Sequence, residues 1–418
     1  MKPAKDIHNY DLKYEKVKEN LEKSTISRRN KDLIHNFDKI CQIEGLGKPR
    51  RIKLIGSLVI LARDYLKKEF DKATKEDLKN AVLKIDSRND CSVWTKQGYK
   101  CILKKFYKWL VFGDDYKDKI EYPAIVSWLK VNIKKKDQPR VQASDILTEK
   151  EIDELIEAAE HPRDKAFISM LYELGARIGE IGTLRIRDVS KDEHSFIIDL
   201  RGKTGYRPVR IVESDPLLTA WLNMHPLKDN PNAPLWILIG DRNKNLRMEY
   251  GALRALVLRL TKKARLKKRI YPHLFRHSRV THLLKNKQIN ESQAKVYFGW
   301  TPDSTMLSEY SHLTSQDVND AMLEIHGIRM EEKPAKEERV KQCPRCKAIN
   351  RKNYSFCGVC GNILDPKTAM EFDRRTKSAD ELLNAIAKNP KAKSRFGEAI
   401  AILEAIDKLR SIYTGNTD

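Results

Sequence analysis

Apolar residues recur at steps of three and four residues along most of this 418-residue chain, the pattern of helices that pack on a core. Leu33, Ile34 and Phe37 show it near the start of the chain. The pattern changes to short β segments only around 195–212, where glycines mark a hairpin turn. We therefore expect a mainly α protein with a small β-sheet, of the α+β class. At ~150 residues per domain, the length predicts two or three domains.

The balance of charge indicates a polyanionic partner. Lys and Arg together number 81 against 58 Asp and Glu, so the formal net charge is +23. No stretch approaches the ~20 consecutive apolar residues that cross a bilayer, and the charged start from Met1 to Glu22 shows no secretory signal. Four of the seven cysteines crowd into one short segment, which fits a reducing compartment better than a disulfide framework. We expect a cytoplasmic protein without a membrane segment.

Breaks in the apolar pattern predict five segments. A helical domain covers 1–129, a basic linker 130–146, a second domain 147–330, a cysteine-rich segment 340–364 and a helical segment 370–414. The second domain begins at Thr148 and Glu151, which have capping-box spacing. The linker has no apolar period, and it either follows a phosphate backbone or is only a solvated connector. Its basic residues are Lys134, Lys135, Lys136 and Arg140.

A second basic run lies at the end of a predicted helix from Tyr250 to about Arg269. A basic helix end commonly answers the helix dipole, but this run exceeds that need. We expect a ridge that faces phosphates, with Lys262, Lys263, Lys267 and Lys268 as its main residues.

Polar residues of the second domain fall at the predicted ends of helices and strands. Arg177 follows Gly175 at a helix start, and Glu180 comes three residues later. Lys203 lies on the hairpin tip, and His273 and Arg276 share one helical face. Trp300 follows a glycine, and Tyr310 opens the last block of this kind.

These blocks, in this order, resemble those of the tyrosine site-specific recombinases, the phage integrase or Xer-like family, in its archaeal form. They are ELGARIGEI at 173–181, GKTG at 202–205, HLFRHS at 273–278, GW at 299–300 and YSH at 310–312. The resemblance implies a catalytic domain over 147–330, preceded by a helical core-binding domain that holds DNA.

The resemblance also implies a role for each residue. Tyr310 would attack the scissile phosphate and form a 3′-phosphotyrosyl bond. Arg177 and Arg276 would hold the non-bridging oxygens. His273 would act as general acid and base, and Lys203 would protonate the departing 5′-oxygen. Trp300 would donate a hydrogen bond to the phosphate, and Glu180 would support the site.

The chemistry of these side chains fits such roles. A covalent intermediate conserves the phosphodiester's energy, so strands are rejoined without ATP. Planar Arg forks match the charge that builds on the equatorial oxygens, so no catalytic metal or other cofactor is expected. Two departures from the family pattern stand out: Trp300 replaces the commoner His, and Tyr310 comes ten residues after Trp300. The second leaves delivery of Tyr310 in cis or in trans open.

Two other functions stay open at this point. A DNA relaxase of the topoisomerase IB type uses the same phosphotyrosyl chemistry, and a DNA-binding regulator could keep the fold without cutting. The full set of Arg177, Lys203, His273, Arg276 and Tyr310 disfavours the regulator, because a protein that only binds DNA needs no such tyrosine.

The clustered cysteines form two Cys-x-x-Cys pairs separated by ten residues: Cys343 with Cys346, and Cys357 with Cys360. Four thiolates suit tetrahedral Zn²⁺, and the segment resembles a zinc ribbon. The alternative is two redox pairs or a disulfide-bonded loop, but the pairs lie outside any strand-to-helix redox context. We expect a structural zinc ion, because four protein ligands leave no open position for catalysis.

The partners follow from charge and resemblance. Double-stranded DNA is the expected polyanion, and the family likeness implies a homotetramer on DNA while it allows a monomer in solution. The amphipathic segment 370–414 packs on its own chain or on a neighbouring protomer, and the sequence leaves both open.

Overall fold

The computed structural model describes residues 6–133, 143–202, 205–240, 244–285, 288–304, 322 and 339–365, with separate positions between 367 and 381. The basic linker residues Lys134, Lys135, Lys136 and Arg140 lie outside the described residues, as do Lys203, Tyr310 and most of 370–414. Among the described helices, none is long and apolar enough to cross a membrane.

The N-terminal unit is a bundle of helices around one apolar core. Its helices are α1 (Tyr10–Lys23), α2 (Arg28–Ile43), α3 (Lys48–Ile60), α4 (Lys75–Asp86), α5 (Val93–Phe112) and α6 (Ala124–Ser127). The predicted positions Leu33, Ile34 and Phe37 are buried in this core. A polar group lies within the bundle: Arg51 donates to Asp38 on α2, and the Tyr14 hydroxyl donates to the same carboxylate at 2.5 Å.

The second unit carries seven helices and a three-stranded antiparallel sheet among the described residues. The helices are α7 (Glu149–Ala158), α8 (Pro162–Glu173), α9 (Ile178–Gly182), α10 (Asp215–Met224), α11 (Tyr250–Lys263), α12 (Pro272–Lys285) and α13 (Glu291–Phe298). The strands are β1 (Val189–Lys191), β2 (Phe196–Gly202) and β3 (Gly205–Ile211), in the order β1-β2-β3. The fold is mostly helical with small antiparallel sheets, as predicted from the sequence.

Strands β2 and β3 form the hairpin that was predicted from the sequence. β2 and β3 pair from Phe196 opposite Ile211 to Gly202 opposite Gly205, so the register continues to the residues that flank the turn. β1 was not predicted. It has three residues, two of them exposed, and such a strand is too short to show an alternating pattern.

The basic run after α11 departs from the prediction, because α11 ends at Lys263, six residues before Arg269. Arg265 has φ 56° and closes the helix end. Two predicted DNA-binding residues are paired within the protein: Lys263 with Glu160, and Lys268 with Glu151 at 2.9 Å. Lys262 and Lys267 are exposed, so the predicted ridge is a short exposed stretch, not a continuous helix face.

The first described residues join the second unit before the bundle begins. Ile7 is 1% exposed within the core of the second unit, and its carbonyl accepts a hydrogen bond of 2.9 Å from the amide of Tyr250. The His8 ring packs against Tyr250 with centroids 4.7 Å apart. The chain therefore contacts the second unit before α1, although the sequence suggested that 1–129 forms one domain.

The cysteine-rich segment forms a third unit with an antiparallel pair of strands, β4 (Val340–Gln342) and β5 (Ile349–Arg351). It rests on the second unit through charged contacts. Arg339 and Arg351 both donate to Asp153 on α7, at 2.6 and 2.5 Å, and Arg339 also lies 3.2 Å from Glu213.

Candidate active site

Arg177 and Glu180 occupy the first turn of α9. Gly175 ends the preceding helix with φ 51°, and Arg177 then caps α9 from an extended conformation. Glu180 is the third helical residue, so its carboxylate reaches back to the Arg177 amide at 3.0 Å and to the guanidinium at 2.9 Å. Glu180 is 4% exposed, whereas the Arg177 side chain is 38% exposed. The spacing of three therefore buries the acid and leaves the arginine accessible from solvent.

A second arginine, not identified from the sequence, holds the same carboxylate. Arg207 on β3 donates to both oxygens of Glu180, at 2.8 and 3.3 Å, and to the carbonyl of Tyr297 at 3.1 Å. It is 7% exposed and lies on the same buried face of β3 as Val209 and Ile211. The sequence did contain a signal for Arg207: a charged residue at a position that the strand pattern places on the buried face needs a buried partner.

The two arginines determine the ionisation of Glu180. Burial raises its pKa, but the hydrogen bonds and charge of Arg207, followed by those of Arg177, more than offset this effect. The pKa of Glu180 therefore lies below its ordinary value, and the group is a carboxylate at neutral pH.

Arg276 lies on the inner face of α12 and is 2% exposed. It donates to the carbonyl of Gly175 at 3.0 Å and to that of Phe298 at 2.8 Å. The guanidinium carbon also lies 5.2 Å from the ring centres of Phe298 and Trp300. Arg276 thus fixes the turn before α9 against the end of α13, which the sequence did not indicate.

His273 lies one turn before Arg276 on α12 and reaches the protein surface. Its ring makes an edge contact with His277, with centroids 4.7 Å apart. Desolvation by surrounding atoms, followed by the charges of His277, Arg276 and Arg177, lowers the pKa of His273 to about 4. The imidazole is therefore neutral near pH 7 and can accept a proton.

Trp300 follows α13, where Gly299 adopts φ 61° and the Trp300 amide bonds to the Lys295 carbonyl at 2.9 Å. Its ring lies 5.2 Å from that of Phe298 and is partly buried. The indole therefore lies beside Arg276, at the edge of the same group of residues.

The structure brings five of the predicted site residues together: Arg177, Glu180, His273, Arg276 and Trp300. The other two, Lys203 and Tyr310, lie outside the described residues. Gly202, the residue before Lys203, lies against the carboxylate of Glu180.

Tyr297 lies directly before Phe298, close to this group, and its hydroxyl is engaged. It donates to the carbonyl of Glu173 at 2.6 Å. Burial raises the pKa of Tyr297 to about 12. A phenol held in this way is a poor nucleophile, so Tyr297 is not a suitable substitute for Tyr310.

The four clustered cysteines form a separate site. All four sulfurs lie within 4.8 Å of one another, with Cys343 3.7 Å from Cys360 and Cys346 3.6 Å from Cys357. A tetrahedral ion with Zn–S bonds of ~2.3 Å requires sulfurs about 3.8 Å apart, close to the 3.7 and 3.6 Å of these two pairs. Asn350 is 1% exposed and approaches the sulfur of Cys357 at 3.6 Å.

Two arginines beside a neutral histidine, on a helical fold with one hairpin, have the chemistry to bind phosphate oxygens and to transfer a proton. Comparison with known proteins agrees. Residues 145–317 match the phage integrase family, and residues 340–371 match the GTF2H2 zinc ribbon domain. These matches support a tyrosine recombinase with an appended zinc ribbon domain.

Several relatives carry this name. The tyrosine recombinase XerA of Pyrococcus horikoshii is 26% identical over 257 residues, which are 61% of this chain and 80% of the relative. A tyrosine recombinase of Thermosipho africanus is 30% identical over 190 residues, which are 44% of this chain and 63% of that protein. The likeness to XerA extends over most of that protein's length.

Solved structures show the same fold. The Tn1549 transposon integrase in complex with transposon right end DNA has a TM-score of 0.54 at 18% identity, covering 70% of this chain and 99% of that one. A lambda integrase dimer bound to a core site has a TM-score of 0.52 at 14% identity, covering 67% and 76%.

Proposed function

We propose that the chain cuts and rejoins double-stranded DNA through a 3′-phosphotyrosyl intermediate on Tyr310. The observation that carries this proposal is the convergence of Arg177, His273, Arg276 and Trp300 from three separate segments. Each of these residues stands where the family motif has a catalytic group, and the relatives are named recombinases.

The proposed reaction is an in-line exchange of one oxygen for another on phosphorus. The phenolic oxygen of Tyr310 forms a bond to phosphorus and loses its proton to the neutral imidazole of His273. The bond to the 5′-oxygen breaks, and Lys203 gives that oxygen a proton. In rejoining, a free 5′-hydroxyl attacks the phosphotyrosine and the protons return, so no ATP or catalytic metal enters the balance.

The two arginines are expected to contribute differently. Arg177 keeps an accessible side chain, which suits direct contact with a non-bridging oxygen. Arg276 is already fixed by two carbonyls, so only an edge of its guanidinium would meet the phosphate. A donor held in place before DNA binds needs no reorganisation in the transition state, which favours catalysis.

The basic surface is proposed to hold the duplex. The lysines and arginine of the linker, together with the exposed Lys262 and Lys267, would contact phosphates without reading bases. Lys263 and Lys268 would have to exchange their partners Glu160 and Glu151 for phosphates, so we expect them to contribute less. Four protomers on DNA would complete a synaptic complex.

We further propose that the ribbon binds one structural Zn²⁺ through Cys343, Cys346, Cys357 and Cys360. The sulfur separations support this, and Asn350 approaches the Cys357 sulfur at 3.6 Å while it accepts from the Gly358 amide at 2.9 Å. Bound zinc would lock the ribbon and so fix Arg351 against Asp153 on the catalytic unit.

The test is incubation with nicked suicide duplexes, in which the short fragment that carries the released 5′-hydroxyl diffuses away, so that the adduct is trapped. Wild-type protein should form a covalent adduct, and Tyr310→Phe should bind with unchanged affinity but form none. Joining between two duplexes should follow when a 5′-hydroxyl partner is added. Adduct without joining, together with relaxation of supercoiled DNA, would indicate a relaxase, and binding without adduct would indicate a regulator.

A further inference from the structure

Glu180 receives hydrogen bonds from two guanidinium groups within the protein. Arg177 supplies its amide and one guanidinium nitrogen, and Arg207 supplies two nitrogens as a fork. Glu180 and Arg207 are both almost fully buried, whereas Arg177 is not. The inner pair is therefore Glu180 with Arg207, and Arg177 meets it from the solvent side.

Two glycines bring the backbone into close contact with this pair, Gly202 with Glu180 and Gly299 with Arg207. A side chain at Gly202 would collide with the carboxylate of Glu180. At Gly299, where φ is 61°, a Cβ atom would come within 2.6 Å of the Arg207 guanidinium. The Nε of Arg207 also donates to the Tyr297 carbonyl at 3.1 Å. The ion pair thus connects the hairpin, α9 and the turn that leads to Trp300.

This arrangement controls how strongly Glu180 attracts Arg177. An isolated carboxylate and guanidinium prefer two parallel hydrogen bonds. Because the fork of Arg207 contacts both oxygens of Glu180, Arg177 makes one side-chain bond to it and keeps 38% of its side chain exposed. Without Arg207, Glu180 would turn its full charge towards Arg177 and withdraw it from a phosphate.

We propose that Arg207 is a positioning residue for strand cleavage, which holds Glu180 in place so that Arg177 remains available to the scissile phosphate. Arg207 does not touch the reacting atoms in this account and acts through Glu180. The inference rests on the proposed function, because it assigns Arg177 to the phosphate.

The experiment compares Arg207→Gln and Arg207→Lys with the wild type and with a matched control, Arg210→Gln. Arg210 lies on the same strand but pairs with Asp192 and Ser195, away from the site. DNA affinity is measured first. The rate of covalent adduct formation is then measured in a single turnover with saturating protein, which separates binding from chemistry.

We expect Arg207→Gln to bind DNA as the wild type does and to form adduct about 10- to 100-fold more slowly, the range for losing a bond between charged groups. Arg207→Lys keeps the charge without the fork, so its rate should be intermediate. It also serves as the informative variant if the glutamine form does not fold. Arg210→Gln should cleave at the wild-type rate.

The pH profile supplies a readout that a purely structural role would not change. Loss of Arg207 removes the main group that holds the pKa of Glu180 low, so burial would raise this pKa. Glu180 of the variant would then take up a proton at a higher pH than in the wild type, and neutral Glu180 no longer attracts Arg177. The rate deficit of Arg207→Gln should therefore shrink as the pH falls, and Arg207→Gln combined with Glu180→Gln should lack that pH dependence.

Wild-type rates and an unchanged profile in Arg207→Gln and Arg207→Lys would overturn the inference. The inference would also be overturned if the rate of adduct formation in these variants fell only in proportion to the fraction of protein that is folded. Absence of adduct with the wild type would instead refute the proposed function, and this inference with it. The two failures are therefore distinguishable.

Discussion

Replacing Arg276 by lysine tests whether this buried arginine only stabilises the fold or also contributes to cleavage. The two terminal guanidinium nitrogens donate separately, one to the Gly175 carbonyl at 3.0 Å and one to the Phe298 carbonyl at 2.8 Å. A lysine ammonium is a single point and cannot reach both. We expect Arg276→Lys to lose at least one bond to a charged group, worth about 1.5–3 kcal/mol of folding free energy.

The effect on cleavage should exceed the effect on folding. If the edge of Arg276 also holds a non-bridging oxygen, adduct formation should fall about 10²-fold or more, the scale for losing one oriented donor at a developing oxyanion. The assay is single-turnover cleavage of a suicide duplex with saturating protein, at a temperature where thermal unfolding shows the variant to be folded.

Arg279→Lys is the matched control for this experiment. Arg279 lies on the same helix, donates to the Glu173 carbonyl at 3.1 Å and packs over Tyr172. It should lower stability to a similar extent and leave adduct formation close to the wild-type rate. Wild-type cleavage by Arg276→Lys, or an equal loss of cleavage in Arg279→Lys, would refute the reasoning.

Four other outcomes are expected. Ile7→Ala should destabilise the catalytic unit by about 2–5 kcal/mol, because a fully buried side chain is truncated, and an unchanged urea midpoint would contradict this. Cys343→Ser should reduce bound zinc, measured by mass spectrometry of the metal, to below one ion per chain and leave cleavage intact; metal-dependent cleavage would argue against a structural role. Alanine at lysines 134–136 should flatten the slope of log affinity against log salt by up to about three units, and an unchanged slope would make the linker a plain connector. His273 binds a proton more weakly in the folded state, so stability should decline as the pH falls from its ordinary pKa of 6.5 to about 4, and His273→Gln should show a shallower decline.

Sequence reasoning predicted the features that depend on near neighbours in the chain. The capping box at Thr148 formed as expected, because it needs only residues three positions apart. The hairpin formed because the alternating pattern and the glycines of its turn lie within one short segment. The end of α11 was missed, since Arg265 is not a residue type that signals a left-handed turn.

The unpredicted features depend on contacts between distant residues. Arg207 pairs with Glu180, which lies 27 positions earlier, and the pattern of β3 does not identify that partner. Ile7 accepts a hydrogen bond from Tyr250, which is distant in the sequence. No pattern near Ile7 could therefore indicate that the first residues pack on the core of the second unit. The motif identified Arg276 as a site residue, but only its surroundings show that carbonyls fix it before DNA binds.

The most direct test of the central claim is to identify the residue that is bonded to DNA. The covalent adduct on a suicide duplex would be digested with protease and nuclease, and the nucleotide-bearing peptide sequenced by mass spectrometry. We expect one modified residue, Tyr310, linked to a 3′-phosphate. Attachment to Tyr297, to another side chain or to a 5′-phosphate would contradict it.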